Sequence, residues 1–374
     1  MNLVRRVLSI PVWVRLVSGA TALLGAMSCA TPNRTPACME LKEVRRFGDR
    51  EVIPYDLDSI AIAAGAGVLG QIRGAMIGPD SLVYVLDRYW AKIVAFRPDG
   101  AVERVILGGE GKGPGEFETP IDITEADRGF SVLDYGLIRI TEFSWSGALL
   151  AVHRLQSRPP WRHVIRGDTV WIGYSSGGPT DGPMFYRVRV TGEPLDSGPP
   201  LPEEDRPFGT GLGMATSPSG ELLVTSTRPG VWYSETRGSW SRRGRPLYPS
   251  TPPPAVEQTG PQQSRVTPAQ QEAAGIGLLG DSIVLQGFYS LPRPFDWHSP
   301  PARDEFRHAV AVFRIDGQHV ATIYLPPGVS TGYLFSEPAS GRILLDTSDP
   351  YPQVIEYRLL GCADTARSGE EREP

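Results

Sequence analysis

LVYVLDRYWAKIVAFRPDG, Leu82 to Gly100, and FSVLDYGLIRITEFSWSG, Phe130 to Gly147, are two copies of one phrase. Each has a short apolar run ending in Asp, a second apolar run, and a turn that closes on Gly. Asp87 and Asp134 stand 47 residues apart, and so do Gly100 and Gly147. Apolar runs this short read as strands, and a strand-only repeat of about 40–50 residues is the sequence signature of a β-propeller blade. The Gly after the third strand recurs at Gly100, Gly147, Gly192, Gly238, Gly317 and Gly361, at intervals of 47, 45, 46, 79 and 44. The excess in the long interval is loop sequence, which leaves six units.

Each unit is expected to hold an inner strand a, middle strands b and c, and an outer strand d. In the first unit these fall near Arg73–Ile77, Leu82–Leu86, Lys92–Phe96 and Val102–Leu107. Their apolar alternation is loose because middle strands of a blade are covered on both faces. The sixth unit stops after its third strand, at Leu360-Gly361-Cys362, while a spare extended segment, Met39–Phe47, precedes the first. An unpaired sheet edge is a liability, so Met39–Phe47 is predicted to serve as strand d of blade six. That places Cys38, at the start of d, opposite Cys362, at the end of c. The fold class expected is all-β, a single six-bladed propeller closed by its N-terminal strand over residues 39–362.

The chain has 374 residues and a formal charge of −5; residues 1–28 hold three arginines and no acid, so the remainder carries −8. An acidic body argues against a nucleic-acid backbone as partner. Gly 42 and Pro 36 are high without a collagen period, as suits short strands joined by tight turns. Arg5, Arg6 and Arg15 form a basic region before the apolar run Leu16 to Ala26, which is too short to span a bilayer. Residues 1–28 therefore read as a signal peptide. The small residues before Cys29 resemble a bacterial lipoprotein signal, which implies a lipidated Cys29. Ala26 and Met27 stand where that pattern has Leu and a small residue, and ordinary signal cleavage nearby is the other reading. Arg5-Arg6 resembles a twin-Arg signal more distantly. Residues 29–38 form a short polar tether, and residues 363–374 are expected to be a disordered tail. In an exported protein Cys38 and Cys362 read as a disulfide; a free thiol and a metal ligand are the alternatives, the latter without a CxxC or a nearby His to support it.

GGEGKGPGEFETPIDI, Gly108 to Ile123, followed by the apolar run that ends at Asp134, resembles the NHL-type six-bladed β-propeller family. The resemblance covers about Gly67 to Leu155, with strand rhythm alone beyond. It implies extracytoplasmic binding scaffolds or lipoproteins on one side, and metal-dependent lyases and lactonases on the other. The same glycines could be mistaken for a phosphate loop, but Lys112 is followed by Gly113 and Pro114 rather than by Ser or Thr and a helix. A blade-to-blade connection with several positive φ angles is the expected structure. Asp87, Asp134 and Asp346 share the end of strand b, where capping of the following turn outweighs an acidic calcium arc.

The histidines, 153, 163, 298, 308 and 319, form no HxH or HxxxH pair, and no GxSxG occurs. His163 alone falls at an inner strand, as a channel-lining or surface residue. The long loops all belong to one face: 174–185 and 290–308 between b and c of blades three and five, and 246–270 between blades four and five. Function on a repeat scaffold sits where loops are elaborated. Phe288, Tyr289, Phe295, Trp297 and His298 are the ligand-binding candidates there, suited to a carbohydrate or peptide groove, or else they pack the insertion onto its own blade. The reading is an exported, lipid-anchored binding module of the cell envelope, monomeric, with no metal or cofactor. Its partners would be an envelope protein, a peptide or a carbohydrate, and the membrane through its anchor; a Gram-negative host would place it at the outer membrane or in the periplasm. The alternative is a lactonase-like metal-dependent lyase or hydrolase at the channel mouth, where calcium could serve. No catalytic residue set is legible.

Overall fold

A computed structural model describes residues 39–48, 67–107, 109–155, 160–174, 184–191, 193–197, 201–202, 205, 212–236, 238–249, 255–260, 263–267, 271–293, 299, 301–302, 305–348 and 351–361. All named elements are strands. The chain opens on β1 (Met39–Phe47). Blade one is β2 (Ile72–Ile77), β3 (Val83–Asp87), β4 (Lys92–Phe96) and β5 (Val102–Leu107); blade two is β6 (Pro120–Ala126), β7 (Gly129–Asp134), β8 (Arg139–Ser144) and β9 (Leu149–Arg154). Blade three is β10 (Arg162–Arg166), β11 (Thr169–Gly173), β12 (Phe185–Arg189) and β13 (Pro194–Ser197); blade four is β14 (Met214–Thr216), β15 (Leu222–Thr225), β16 (Val231–Thr236) and β17 (Ser239–Gly244). A separate hairpin, β18 (Ala255–Gly260) with β19 (Gln263–Thr267), lies in the connection to blade five, where the sequence suggests only a Pro- and Gln-rich loop. Blade five is β20 (Gln271–Leu279), β21 (Ile283–Ser290), β22 (Arg307–Arg314) and β23 (His319–Tyr324), and blade six is β24 (Val329–Glu337), β25 (Arg342–Thr347) and β26 (Gln353–Gly361).

Each blade is a four-stranded antiparallel meander, and the sixth is completed as the order β1-β26-β25-β24. The N-terminal strand thus closes the ring, as expected from the sequence, in a register that runs from Met39 opposite Gly361 to Phe47 opposite Val354. Cys38 and Cys362 lie just outside the described residues.

Burial is deepest in the middle strands and falls toward the outer one. Every residue of β3 (VYVLD) and β4 (KIVAF) is buried, whereas all four residues of β13 are exposed. The core lies between blades. Met76, Tyr84, Leu86 and Ile93 of blade one meet Ile123, Phe130 and Phe143 of blade two, with Phe117 from the connection between them. Phe47, Leu344 and Val354 of blade six meet Ile72, Val83 and Val94 of blade one. Each enclosed Val, Leu, Ile or Phe contributes about 1.5–3 kcal/mol by leaving water. The glycine spacing reads correctly for a backbone reason. Gly100 and Gly147 close the c–d turns at φ 91° and 88°, a left-handed conformation that a side chain would strain.

The strand-end aspartates are structural. Asp87 accepts Gly70 N (2.7 Å) and Gln71 N (2.9 Å) from the chain entering the blade, and Tyr89 N (2.9 Å) from the turn it begins. Asp134 repeats this with Glu118 N (2.8 Å), Thr119 N (3.1 Å) and Leu137 N (3.0 Å). In blades one and two a single carboxylate therefore fastens the inner-strand entrance to its own blade. Burial pushes Asp87 above the ordinary carboxylate range, opposed by the amides of Gln71, Gly70 and Trp90 and by Lys92.

The Gly-rich connection is likewise closed on itself. Gly113 N donates to Glu116 (2.6 Å), and Arg139 donates to the carbonyls of Lys112 (3.2 Å), Gly113 (2.9 Å) and Glu116. The loop's own carboxylate sits where an outside anion would have to bind, and a Cβ on Gly111 would collide with it. Gly109 and Gly115 take positive φ, as expected of a connection.

Candidate binding face

In a meander of this kind the d-to-a and b-to-c loops emerge together, so strands a and c begin, and strand b ends, at one face, the loop face. Two polar clusters sit there, joined by a bulge in β24. Ser330 still pairs with Asp346, but the next pairing is Phe335 with Leu344, so Thr331-Gly332-Tyr333-Leu334 stands out of the ladder. Asp346 helps hold the bulge through Ser330 and the amide of Tyr333; burial raises its carboxyl to about 6.

The first cluster crosses the axis. Arg162, the first residue of β10, donates to Leu212 O (3.2 Å), Ile121 O (3.4 Å), Asp122 Oδ1 (3.3 Å) and Gly332 O (3.1 Å). A single guanidinium in blade three thus holds blade two, the chain entering blade four, and the bulge of blade six. Its Cζ lies 4.7 Å from the centre of the Tyr333 ring, a cation–π contact, and the Tyr333 hydroxyl accepts Arg73 Nη1 at 2.8 Å. Together Arg162 and Tyr333 cap a central cavity of about 180 Å³, lined by inner-strand residues as far as Glu125 and Ser336.

Asp122 also binds His163 twice, through its backbone N (2.9 Å) and Nδ1 (2.9 Å), and His163 Nε2 meets Ser131 Oγ at 2.7 Å. With Nδ1–H donated to the carboxylate, Nε2 accepts from the serine. The order Ser–His–Asp is that of a nucleophilic triad, but Ser131 is fully buried and the His163 side chain is 0% exposed. A substrate cannot reach that hydroxyl, so the three residues lock blade two to blade three. His163 borders the central cavity, as the channel-lining reading expects, but its side chain is buried between Asp122 and Ser131.

The second cluster lies over blade five. Tyr289 donates to Glu272 Oε2 at 2.6 Å, its ring meets Phe306 and His308, and His308 Nδ1 lies 3.1 Å from Thr331 Oγ1 at the foot of the bulge. Burial raises the Glu272 carboxyl to about 7 and lowers His308 to about 4. The imidazole is therefore neutral across the physiological range while the carboxyl titrates within it.

Of the ligand candidates, Phe288 is fully enclosed, with its ring 5.8 Å from Tyr248 in the core between blades four and five, so it packs the blade and offers no ligand surface. Strand b runs on to Ser290, so Phe288 lies within the ladder, opposite Ala309, rather than in the insertion. Tyr289 is at the loop face, with its hydroxyl taken by Glu272. Phe295, Trp297 and His298 lie outside the described residues, as does Cys29. Sequence reading missed Arg73, Asp122, Arg162, Glu272 and Tyr333; only their shared position near the start of inner strands could have pointed to them. Among the described residues no three His, Cys, Asp or Glu side chains gather as a metal-ligand set.

No protein-family model matches the chain, and no curated protein matches its sequence. Solved structures do match in fold. A member of the DUF4221 family from Bacteroides vulgatus aligns with a TM-score of 0.60 at 9% identity, over 87% of this chain and 99% of that one. A Bacteroides fragilis protein classed as exported aligns at 0.53 and 10% identity, over 86% and 95%. A gluconolactonase from Xanthomonas campestris aligns at 0.48 and 17% identity, over 89% and 100%.

Proposed function

We propose that this chain is an exported, lipid-anchored propeller of the NHL-repeat-like kind that binds a cell-envelope ligand on its loop face. The observation that carries the reading is the bulge of β24, which brings the polar groups of two clusters to the one face from which the long connections emerge. Function on such a scaffold concentrates where loops are long and polar groups converge. A metal-dependent lyase or hydrolase has less support, because the described carboxylates and imidazoles of this face pair with protein groups rather than with one another as ligands.

The test is removal of residues 293–305, which spares β21, β22, Leu291 and the ring of Phe306. The variant should keep its strand content by circular dichroism, since a loop tip adds little to blade packing. It should lose the envelope component that the wild type retains when immobilised and challenged with solubilised envelope. Unchanged retention by the variant, or collapse of the ring, would remove the insertion from the binding face.

The anchor is tested separately. Cys29 is expected to carry acyl chains, because an acidic body has little membrane affinity of its own and two chains suffice for stable attachment. Cys29→Ser should move the protein from the membrane to the soluble fraction. Recovery of the wild type in the aqueous phase of a detergent partition, with a free Cys29 thiol, would refute lipidation. Ala30 and Thr31 supply no Asp retention signal, so the outer membrane is the proposed destination in a Gram-negative host.

A further inference from the structure

Arg73 and Arg162 share Tyr333, yet they are not equally provided for. Arg162 is paired with Asp122 and donates to three carbonyls. Arg73, the second residue of β2, donates Nη1 to the Tyr333 hydroxyl, and its Nε is buried with no hydrogen-bond partner among the described residues. No ion pair to Arg73 forms among those residues. A guanidinium carries five donors and a permanent charge, and a buried donor without a partner costs stability unless an ion or ligand completes it.

Tyr333 is also held at its other end. Its amide reaches Asp346, whose Oδ1 is buried with no hydrogen-bond partner among the described residues. The hydroxyl that Arg73 grips is thus fixed by the bulge, and the guanidinium has few ways to relax. Arg73 meets the hydroxyl of Tyr333, and Arg162 lies over the face of the same ring. Arg162 is balanced by Asp122, which leaves the charge of Arg73 to be met.

From this arrangement we infer that the loop-face end of the propeller axis is a binding site for a small oxyanion, a carboxylate or phosphate group, received by the guanidinium of Arg73 beside Tyr333. The fork of an arginine suits two parallel bonds to such a group. The inference rests on the reading of the loop face as a binding face and gives its ligand an acidic group at the axis, inward of the blade-five insertion.

The experiment titrates the purified full-length protein with sodium phosphate and, in a second arm, sodium acetate, at an ionic strength held constant with chloride, following the melting temperature. One of the two anions should raise it saturably. Saturation by phosphate with acetate silent assigns a phosphate group; the reverse assigns a carboxylate. In Arg73→Gln the dissociation constant should rise about tenfold or more, as expected for loss of charge-assisted hydrogen bonds, with circular dichroism unchanged. Should that variant not fold, Arg73→Lys retains the charge without the fork and should weaken binding several-fold. Tyr333→Phe frees Nη1 and should bind at least as tightly as the wild type. No saturable shift with either anion, or equal shifts in the wild type and the folded Arg73 variant, overturns the site. Loss of envelope retention on deleting residues 293–305 would then still stand, so the two readings fail separately.

Discussion

Asp122→Ala is expected to lower stability by about 3–5 kcal/mol, the range for removing one partner of a buried ion pair. The carboxylate serves three donors: Arg162 Nη1, His163 Nδ1 and the His163 backbone N. Its loss leaves a nearly buried guanidinium without its counter-ion and two N–H groups without an acceptor, in a place that water reaches poorly. Asp122→Asn, which keeps an acceptor oxygen, should cost less. Ser131→Ala, which strips only the donor to His163 Nε2, should cost about 1–3 kcal/mol. Chemical denaturation of the three variants checks the order. An Asp122→Ala protein within about 1 kcal/mol of the wild type would mean that Arg162 and His163 hold the blades without it.

Reduction of the wild type should produce the other large effect. In β1 and β26, Met39 faces Gly361, and the sequence reading pairs the residues next to them in the chain, Cys38 and Cys362, as a disulfide. Facing Cα atoms of neighbouring strands lie about 5.5 Å apart, a span a disulfide bridges without strain. Because the bond would enclose nearly the whole ring, the chain-entropy estimate reaches an upper value of about 5 kcal/mol. The melting temperature should fall on reduction while strand content stays the same, since β1 remains held by its backbone pairing with β26. Two free thiols in addition to Cys29, titrated in the denatured, unreduced protein, would show that the bond is absent.

How far the sequence could be read depended on how local the cause was. Gly100 and Gly147 announce themselves because a c–d turn needs a left-handed residue at a fixed place. Asp87 and Asp134 do so because the amides they cap lie at the same point of each blade. Met39–Phe47 is legible because a sixth unit one strand short and a spare extended segment before the first answer each other. The axial network has no such local cause. Asp122 and His163 are 41 residues apart and Arg162 and Gly332 are 170 apart, and each meets its partner only because the ring gathers the inner strands around one axis. Phe288 shows the same limit. The sequence leaves both a ligand groove and packing onto the blade open for the aromatics beside the insertion, and Phe288 takes the second, because b of blade five runs on to Ser290 and the Phe288 ring enters the core between blades.

The span of Arg162 bears on the order in which the molecule is made. Its carbonyl partners lie 41 residues before it, 50 after it and 170 after it. A chain synthesised from its N-terminus presents this arginine well before the last partner exists, and β1, made first of all the strands, waits longest for β26. Until blade six arrives, the growing arc keeps a hydrated hub and an unmatched leading strand, and contacts so distant along the chain are gained only after the intervening loop has been closed. Hub and rim are therefore completed together, in one late cooperative step. A chain that ends short of blade six completes neither, since it lacks both Gly332 and β26.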